Sequence, residues 1–169
     1  MAVLNIKTIF RLSIIPYLRE LKDRIGRTIL FTGTYSNNTV TYSNITGLSF
    51  INSLNAVYEV EIIGAFQSAA TTTGIGLALS VPSGSTIIGL VQPAISTTAS
   101  NSLSQIATGL TTAPSTGVPV INQNTPIIAK WLVKTTTIGT IQLMARSEIA
   151  ASNITIVSGL FLLRYKRID

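Results

Sequence analysis

Two glutamates, Glu59 and Glu61, are the residues whose types and spacing come closest to catalytic chemistry. They are two positions apart, so on a strand they share one face. A carboxylate pair can perform acid–base catalysis or bind a cation. Tyr58, Val60 and Ile62 alternate with them, however, and this pattern favours a solvent-facing strip on a half-buried strand. The sequence therefore predicts a structural role for both glutamates.

Other catalytic and metal-binding groups are scarce. The chain has no cysteine and no histidine, which excludes thiol catalysis, cysteine-ligated metals and a Ser-His-Asp triad. Lys130 and Lys134 could serve as bases, but no spacing supports that role. Gly74-Ile75-Gly76 lacks the following helix that a dinucleotide site needs, so it is interpreted as a turn. The sequence predicts no enzyme, no cofactor and no metal site.

Charge is low and unevenly distributed along the 169 residues. Residues 1–27 hold six basic and two acidic residues, or +4, and residues 28–169 hold six basic and four acidic residues, or +2. Residues 62–129 contain no charged side chain at all. A surface so poor in charge tends to self-associate, which favours a subunit of an assembly.

The N-terminal segment, residues 1–27, is predicted to form a separate basic anchor. Pro16 breaks any earlier helix, and Gly26 is suited to cap the helix that follows over residues 17–25. Within residues 1–27, apolar residues recur with helical spacing at Ile14, Leu18, Leu21 and Ile25. Residues 1–15 are too short and too charged for a spanning helix or a signal peptide. We therefore expect a protein that is made in the cytoplasm and carries no export signal.

From residue 28 onward the apolar period changes to two, which indicates strands. Turns are expected at residues 36–38, 44–47 and 158–159. Strands are predicted over residues 28–32, 39–42, 48–50, 57–66, 75–81, 85–91, 127–134, 141–146, 154–157 and 160–168. The fold class predicted for residues 28–169 is an all-β, antiparallel jelly roll or β-sandwich, preceded by a short N-terminal α-helical segment.

Two apolar features identify the expected core. The last strand carries Phe161, Leu163 and Tyr165 on one face, and it is too apolar for an exposed edge, so we expect it in the interior of a sheet. Trp131 is the only tryptophan and is expected to anchor the core.

Several segments resemble the β-domains of tailed-bacteriophage virion proteins. They are YEVEI at residues 58–62, FQSAATTTGIGLA at 66–78, GTIQLMARSE at 139–148 and LRYKRI at 163–168. The similar proteins are head decoration (cement) proteins, head fibres and tail-fibre tips, several of which are trimeric jelly rolls. The resemblance covers residues 28–168. It implies a virion structural protein without catalytic residues.

On this hypothesis the protein is a homotrimeric capsid decoration protein or head spike. Its partners are itself and the major capsid protein or another virion protein, with no nucleic acid and no membrane. The N-terminal segment docks on the particle through apolar packing and charge complementarity. The predicted docking residues are Arg11, Ile14, Leu18, Arg19, Leu21, Lys22, Arg24 and Ile25.

Two alternatives stay open. The protein could be the receptor-binding tip of a phage tail fibre, with the loop-rich residues 92–126 contacting a glycan. The basic N-terminal segment could instead bind nucleic acid or a membrane, although Phe10 and Tyr17 are too few for a base-stacking platform.

Strand 75–81 provides the predicted subunit contact. Ile75, Leu77 and Leu79 alternate with small residues, so the apolar face can pack inside the sandwich. The other face is then free to meet a neighbour closely around a three-fold axis. The residues predicted at this oligomer contact are Gly76, Ala78 and Ser80.

Overall fold

The computed structural model describes residues 24–93, 105–107 and 117–169, together with Leu21. This part of the chain forms ten strands, which confirms the all-β prediction. They are β1 (Arg27–Leu30), β2 (Tyr35–Asn37), β3 (Ser43–Ile51), β4 (Ala56–Ser68), β5 (Ile75–Ser80), β6 (Thr86–Pro93), β7 (Gln105–Ala107), β8 (Thr125–Thr135), β9 (Thr140–Ser147) and β10 (Ile154–Arg167). The helix predicted over residues 17–25 falls mainly outside the described residues and stays a prediction.

The strands form two sheets that share one hydrophobic core. The large sheet has the strand order β1-β10-β4-β8-β6-β7, and β2 also pairs with β10. The small sheet has the order β3-β9-β5. Every pairing is antiparallel. The antiparallel β-sandwich is therefore confirmed, and the jelly-roll connectivity stays a prediction.

The core lies between the sheets and is built by strict alternation. On β4, Tyr58, Val60 and Ile62 are fully buried, and β8 and β10 alternate in the same way. Leu77 on β5 and Leu143 on β9 close the core from the small sheet. Burying one such side chain contributes about 1.5–3 kcal/mol, so this alternation is the main source of stability. Among the largest buried side chains are Trp131, Tyr58, Phe66 and Phe161, and the expected anchoring role of Trp131 is confirmed.

Strand β10 lies in the interior of the large sheet, as predicted, with β4 on one side and β1 and β2 on the other. The turn expected at Ser158 and Gly159 is wrong, because β10 continues through these residues with a bulge between Ile156 and Phe161. Gly159 permits the bulge with a φ of 75°, which other residues rarely adopt. The backbone of Phe31 then bonds to Gly159 N (2.7 Å) and Phe161 O (2.8 Å), so the polar groups of the bulge stay paired.

The strand predicted over residues 39–42 is also wrong, and the turn predicted over 36–38 partly overlaps β2. The buried side chain of Asn37 explains the difference. Its Oδ1 accepts a hydrogen bond from Thr39 N (2.7 Å), and its Nδ2 lies 3.1 Å from the carbonyls of both Thr41 and Ala145. These bonds fold the chain after β2 around one side chain, because a buried amide must be satisfied.

A second bulge replaces the turn predicted at residues 44–47. It lies within β3, where the register against β9 shifts between Asn44 and Ser49. The side-chain amide of Gln142 on β9 donates to the carbonyls of Ile45 (2.9 Å) and Leu48 (3.0 Å). One side chain thus satisfies two backbone carbonyls that the bulge removes from the ladder.

Substitution of Gln142 tests this bridge. Gln142→Ala leaves the Ile45 and Leu48 carbonyls without this donor and is expected to lower the free energy of unfolding by about 1–3 kcal/mol. Urea unfolding measures the loss. The matched control is Gln67→Ala, since Gln67 bonds to Asn124 in an exposed position; we expect it to change stability by less than about 0.5 kcal/mol. Equal effects of the two variants would contradict the bridging role.

Candidate functional site

The predicted docking segment is only partly described. Five of its predicted docking residues, Arg11, Ile14, Leu18, Arg19 and Lys22, lie outside the described residues. Of the other three, Leu21 is 43% exposed, Ile25 is 74% exposed and Arg24 is exposed too. The members of the core cluster in the described part of the chain lie between Phe31 and Tyr165. Particle docking through residues 1–27 stays a prediction.

The predicted oligomer contact on β5 is largely covered within a single chain. Ala78 is 2% exposed, Gly76 is buried and Ser80 is exposed. A Cβ atom added at Gly76 would lie 2.7 Å from Tyr42 Oη and 3.1 Å from Arg146 Cγ. The Arg146 guanidinium also lies over the Tyr42 ring, 5.2 Å from its centroid. The subunit contact stays a prediction, and of its three residues Ser80 is the one that a neighbour can reach.

The large sheet carries a more extensive surface on the side away from the small sheet, here called the outer face. An apolar row crosses four neighbouring strands of this face. The strand registers place Leu30 beside Leu162, Leu162 beside Ile63, and Ile63 beside Ile128. Leu30 is 51% exposed and Ile128 is 43% exposed, while Leu162 and Ile63 are half-buried. Such a contiguous apolar row is unusual on a free surface.

A charged row runs beside the apolar one. The registers align Arg164, Glu61 and Lys130 across β10, β4 and β8. The Glu61 carboxylate lies 3.0 Å from Lys130 Nζ and 3.7 Å from the Arg164 guanidinium. The hydrogen bond and the negative charge of Glu61 raise the pKa of Lys130 above its ordinary value. Glu61 therefore has a structural partner on each side, in line with the structural role predicted for it.

A shallow apolar groove continues the outer face towards β6. Its lining includes Ile88 and Leu90 from β6, Leu132 and Lys130 from β8, and Glu59 from β4. Ile88 and Leu132 are exposed, although both are large and apolar. The groove and the two rows together give the outer face an apolar surface crossed by alternating charges.

The outer face was not predicted from the sequence, although β8 contains a signal for it. Adjacent residues in Ile127-Ile128 and Trp131-Leu132 are apolar, so both faces of the strand carry apolar side chains. Strands with two apolar faces are typically covered on both sides. The alternation of β8 predicts its core face, and the adjacent apolar pairs indicate that the opposite face is covered as well.

The chemistry that the described residues offer is recognition by surface contact. Within them there is no group of three or more His, Cys, Asp or Glu side chains placed to hold a metal ion. Among the described residues, no helix is long and apolar enough to cross a membrane. The apolar and charged rows of the outer face are instead suited to contact another protein surface.

Comparisons with known proteins return distant structural similarities. No protein-family model matches the chain, and no curated protein matches it. Among solved structures, it is similar to the infectious bursal disease virus VP2 subviral particle, with 9% identity and a TM-score of 0.27. It is also similar to the Gx strain of that virus, with 10% identity and a TM-score of 0.27. Each match covers 85% of this chain and 37% of the other, so the chain spans little more than a third of their length.

Two arginine substitutions on β5 test the predicted oligomer contact. Ala78→Arg places a charge at a buried position and is expected to lower the free energy of unfolding by more than about 3 kcal/mol. Ser80→Arg changes an exposed position and should leave the fold intact. If β5 surrounds a three-fold axis, Ser80→Arg brings three like charges together and lowers the mass seen by light scattering. An unchanged oligomeric mass for this variant would contradict the contact.

Proposed function

We propose that this protein is a non-enzymatic structural component of a virus particle, a homo-oligomeric capsid decoration protein that docks through its N-terminal segment. One observation carries the proposal. The described core of the sandwich begins at Phe31, whereas Leu21, Arg24 and Ile25, just before β1, expose their side chains. The β-domain therefore carries an exposed apolar and basic extension, which is suited to attach the domain to another protein.

Charge supports this division of roles. The N-terminal segment carries +4 of the net charge of +6, within 27 of 169 residues. A short segment of this charge is attracted to an acidic surface, and its apolar stripe can then pack against that surface. The partner that fits is an acidic patch with an apolar groove, on the major capsid protein or another virion protein.

The composition of the β-domain supports assembly with further copies. Residues 62–129 carry no charged side chain, and the outer face exposes large apolar groups. Surfaces of this kind self-associate unless a partner covers them. The resemblance of residues 28–168 to phage virion β-domains points the same way, towards a bacteriophage particle and a homo-oligomer. On this proposal the protein is located in the virion.

Deletion of residues 1–26 tests the docking role, because it removes every predicted docking residue and leaves β1 intact. The shortened chain is expected to keep the circular dichroism spectrum and the oligomeric mass of the full chain, because the described core begins at Phe31. It should no longer sediment with particles that lack the protein, whereas the full chain should. The matched control is the full chain with Ile138→Ser, an exposed apolar residue of the β-domain, which should still bind.

Retention of normal particle binding by the shortened chain would contradict the anchor. Imaging of labelled particles separates this proposal from its alternative. Label on the head surface supports a decoration protein. Label at the end of the tail supports the receptor-binding tip of a tail fibre and overturns the proposal.

A further inference from the structure

The outer face of the large sheet is large enough for a specific protein contact. It extends over five strands, β1, β10, β4, β8 and β6, which lie about 4.8 Å apart. Along β4 it extends from Val57 to Ala65, at about 3.3 Å per residue. These dimensions give of the order of 600 Å² before corrugation is counted, which reaches the lower end of the roughly 600–1,000 Å² that specific interfaces bury on each partner.

The apolar content of this face is concentrated where an interface needs it. Ile128 and Leu132 lie near the middle of the sheet, on β8, and Ile88 lies beside them on β6. Their exposed fractions are 43%, 47% and 54%. Interfaces typically have an apolar centre and a polar rim, and Arg164, Lys166 and Lys134 lie to one side of Ile128 as exposed charges.

One charge pair on β4 and β8, Glu61 with Lys130, is self-complementary. Glu61 and Lys130 are register partners on these two neighbouring strands, and so are Ile63 and Ile128. A two-fold axis in the plane of an interface, nearly parallel to the strands and between β4 and β8, exchanges the two strands. It places Glu61 of one copy opposite Lys130 of the other, and Ile63 opposite Ile128. Two-fold interfaces require this reciprocity.

We infer that the outer face pairs with the same face of a second copy of this chain, around a two-fold axis between β4 and β8. Ile63 and Ile128 of the two copies form the apolar centre of this interface. The two Glu61–Lys130 pairs form a network of four alternating charges across it. Twisted sheets stack face to face with their strands about 30° apart, which an axis inclined by about 15° to the strands of each copy produces.

The pairing of outer faces rests on one part of the proposed function, the self-association of the chain, and does not require docking on a particle. It differs from the ring of three predicted from β5, because it uses the opposite sheet and a two-fold axis. Its test uses the free protein without particles. A failure here therefore leaves particle docking untouched, and a failure of docking leaves this interface untouched.

Light scattering and sedimentation of the free protein at about 50 µM, several times above a typical low-micromolar dissociation constant, give the first measurement. We expect twice the 18.0 kDa of one chain. Ile128→Asp is expected to weaken the dissociation constant at least tenfold, since it buries a charge opposite Ile63. The matched control, Ile138→Asp, changes an apolar residue that is 66% exposed outside the outer face, and its mass should stay that of the dimer.

A charge-exchange pair gives a second measurement that does not depend on apolar packing. Glu61→Lys chains have like positive charges at both positions of the pair, and Lys130→Glu chains have like negative charges. Each variant alone is expected to be folded and monomeric. An equimolar mixture is expected to form heterodimers, because every pair across the axis then joins opposite charges.

Three results would overturn the inference. The first is a monomeric wild-type protein at this concentration. This result would overturn the inference whether or not the outer face binds lipid vesicles or another protein. The second is an oligomer whose mass Ile128→Asp leaves unchanged, which would return the contact to β5 and Ser80. The third is a mixture of the two charge variants that stays monomeric while both are folded by circular dichroism.

Discussion

The pairing of β4 with β10 on one side and β8 on the other is the constraint on which both faces of the large sheet depend. It fixes which side chains stand together, since each strand sends alternate residues to opposite faces. On the inner face the pairing aligns Tyr165, Val60 and Trp131, and the small sheet covers them. A slip of one residue would exchange the inner and outer faces, so the buried core holds the register of the outer face in place.

The same constraint explains why β10 tolerates its bulge. Beyond Phe161 the ladder with β4 resumes and continues to the pair of Arg167 with Tyr58. Phe161 lies directly over Gly64, where an added Cβ would come within 2.4 Å of the ring. The irregularity is therefore confined to residues 157–160, and it brings Phe31 into the sheet between β1 and β2. Where the pairing of β10 with β4 is interrupted, Phe31 therefore links the segment between β1 and β2 to β10.

Alternation in the sequence was sufficient to predict β4, β5, β8 and β9 with their buried faces, and the antiparallel β-sandwich. It predicted that Glu59 and Glu61 share a face, because that depends on a single strand. It could not predict that Glu61 lies between Lys130 and Arg164, since this depends on the registers of three strands that are distant in sequence. The errors at residues 36–42 and 44–47 have a similar cause, because the amides of Asn37 and Gln142 act across strands, and Ser158-Gly159 permits a bulge as readily as a turn.

The outer face combines two features that have different consequences for assembly. Its apolar row can contribute affinity to many partners, because burial of apolar area is not directional. Its charged row is selective, since a carboxylate between two cations must meet a matching pattern or lose its hydration without compensation. A partner that slides by one strand would set Glu61 against Glu61 or Lys130 against Lys130. The alternation of charge between β4 and β8 therefore determines the register of any copy that the apolar row attracts.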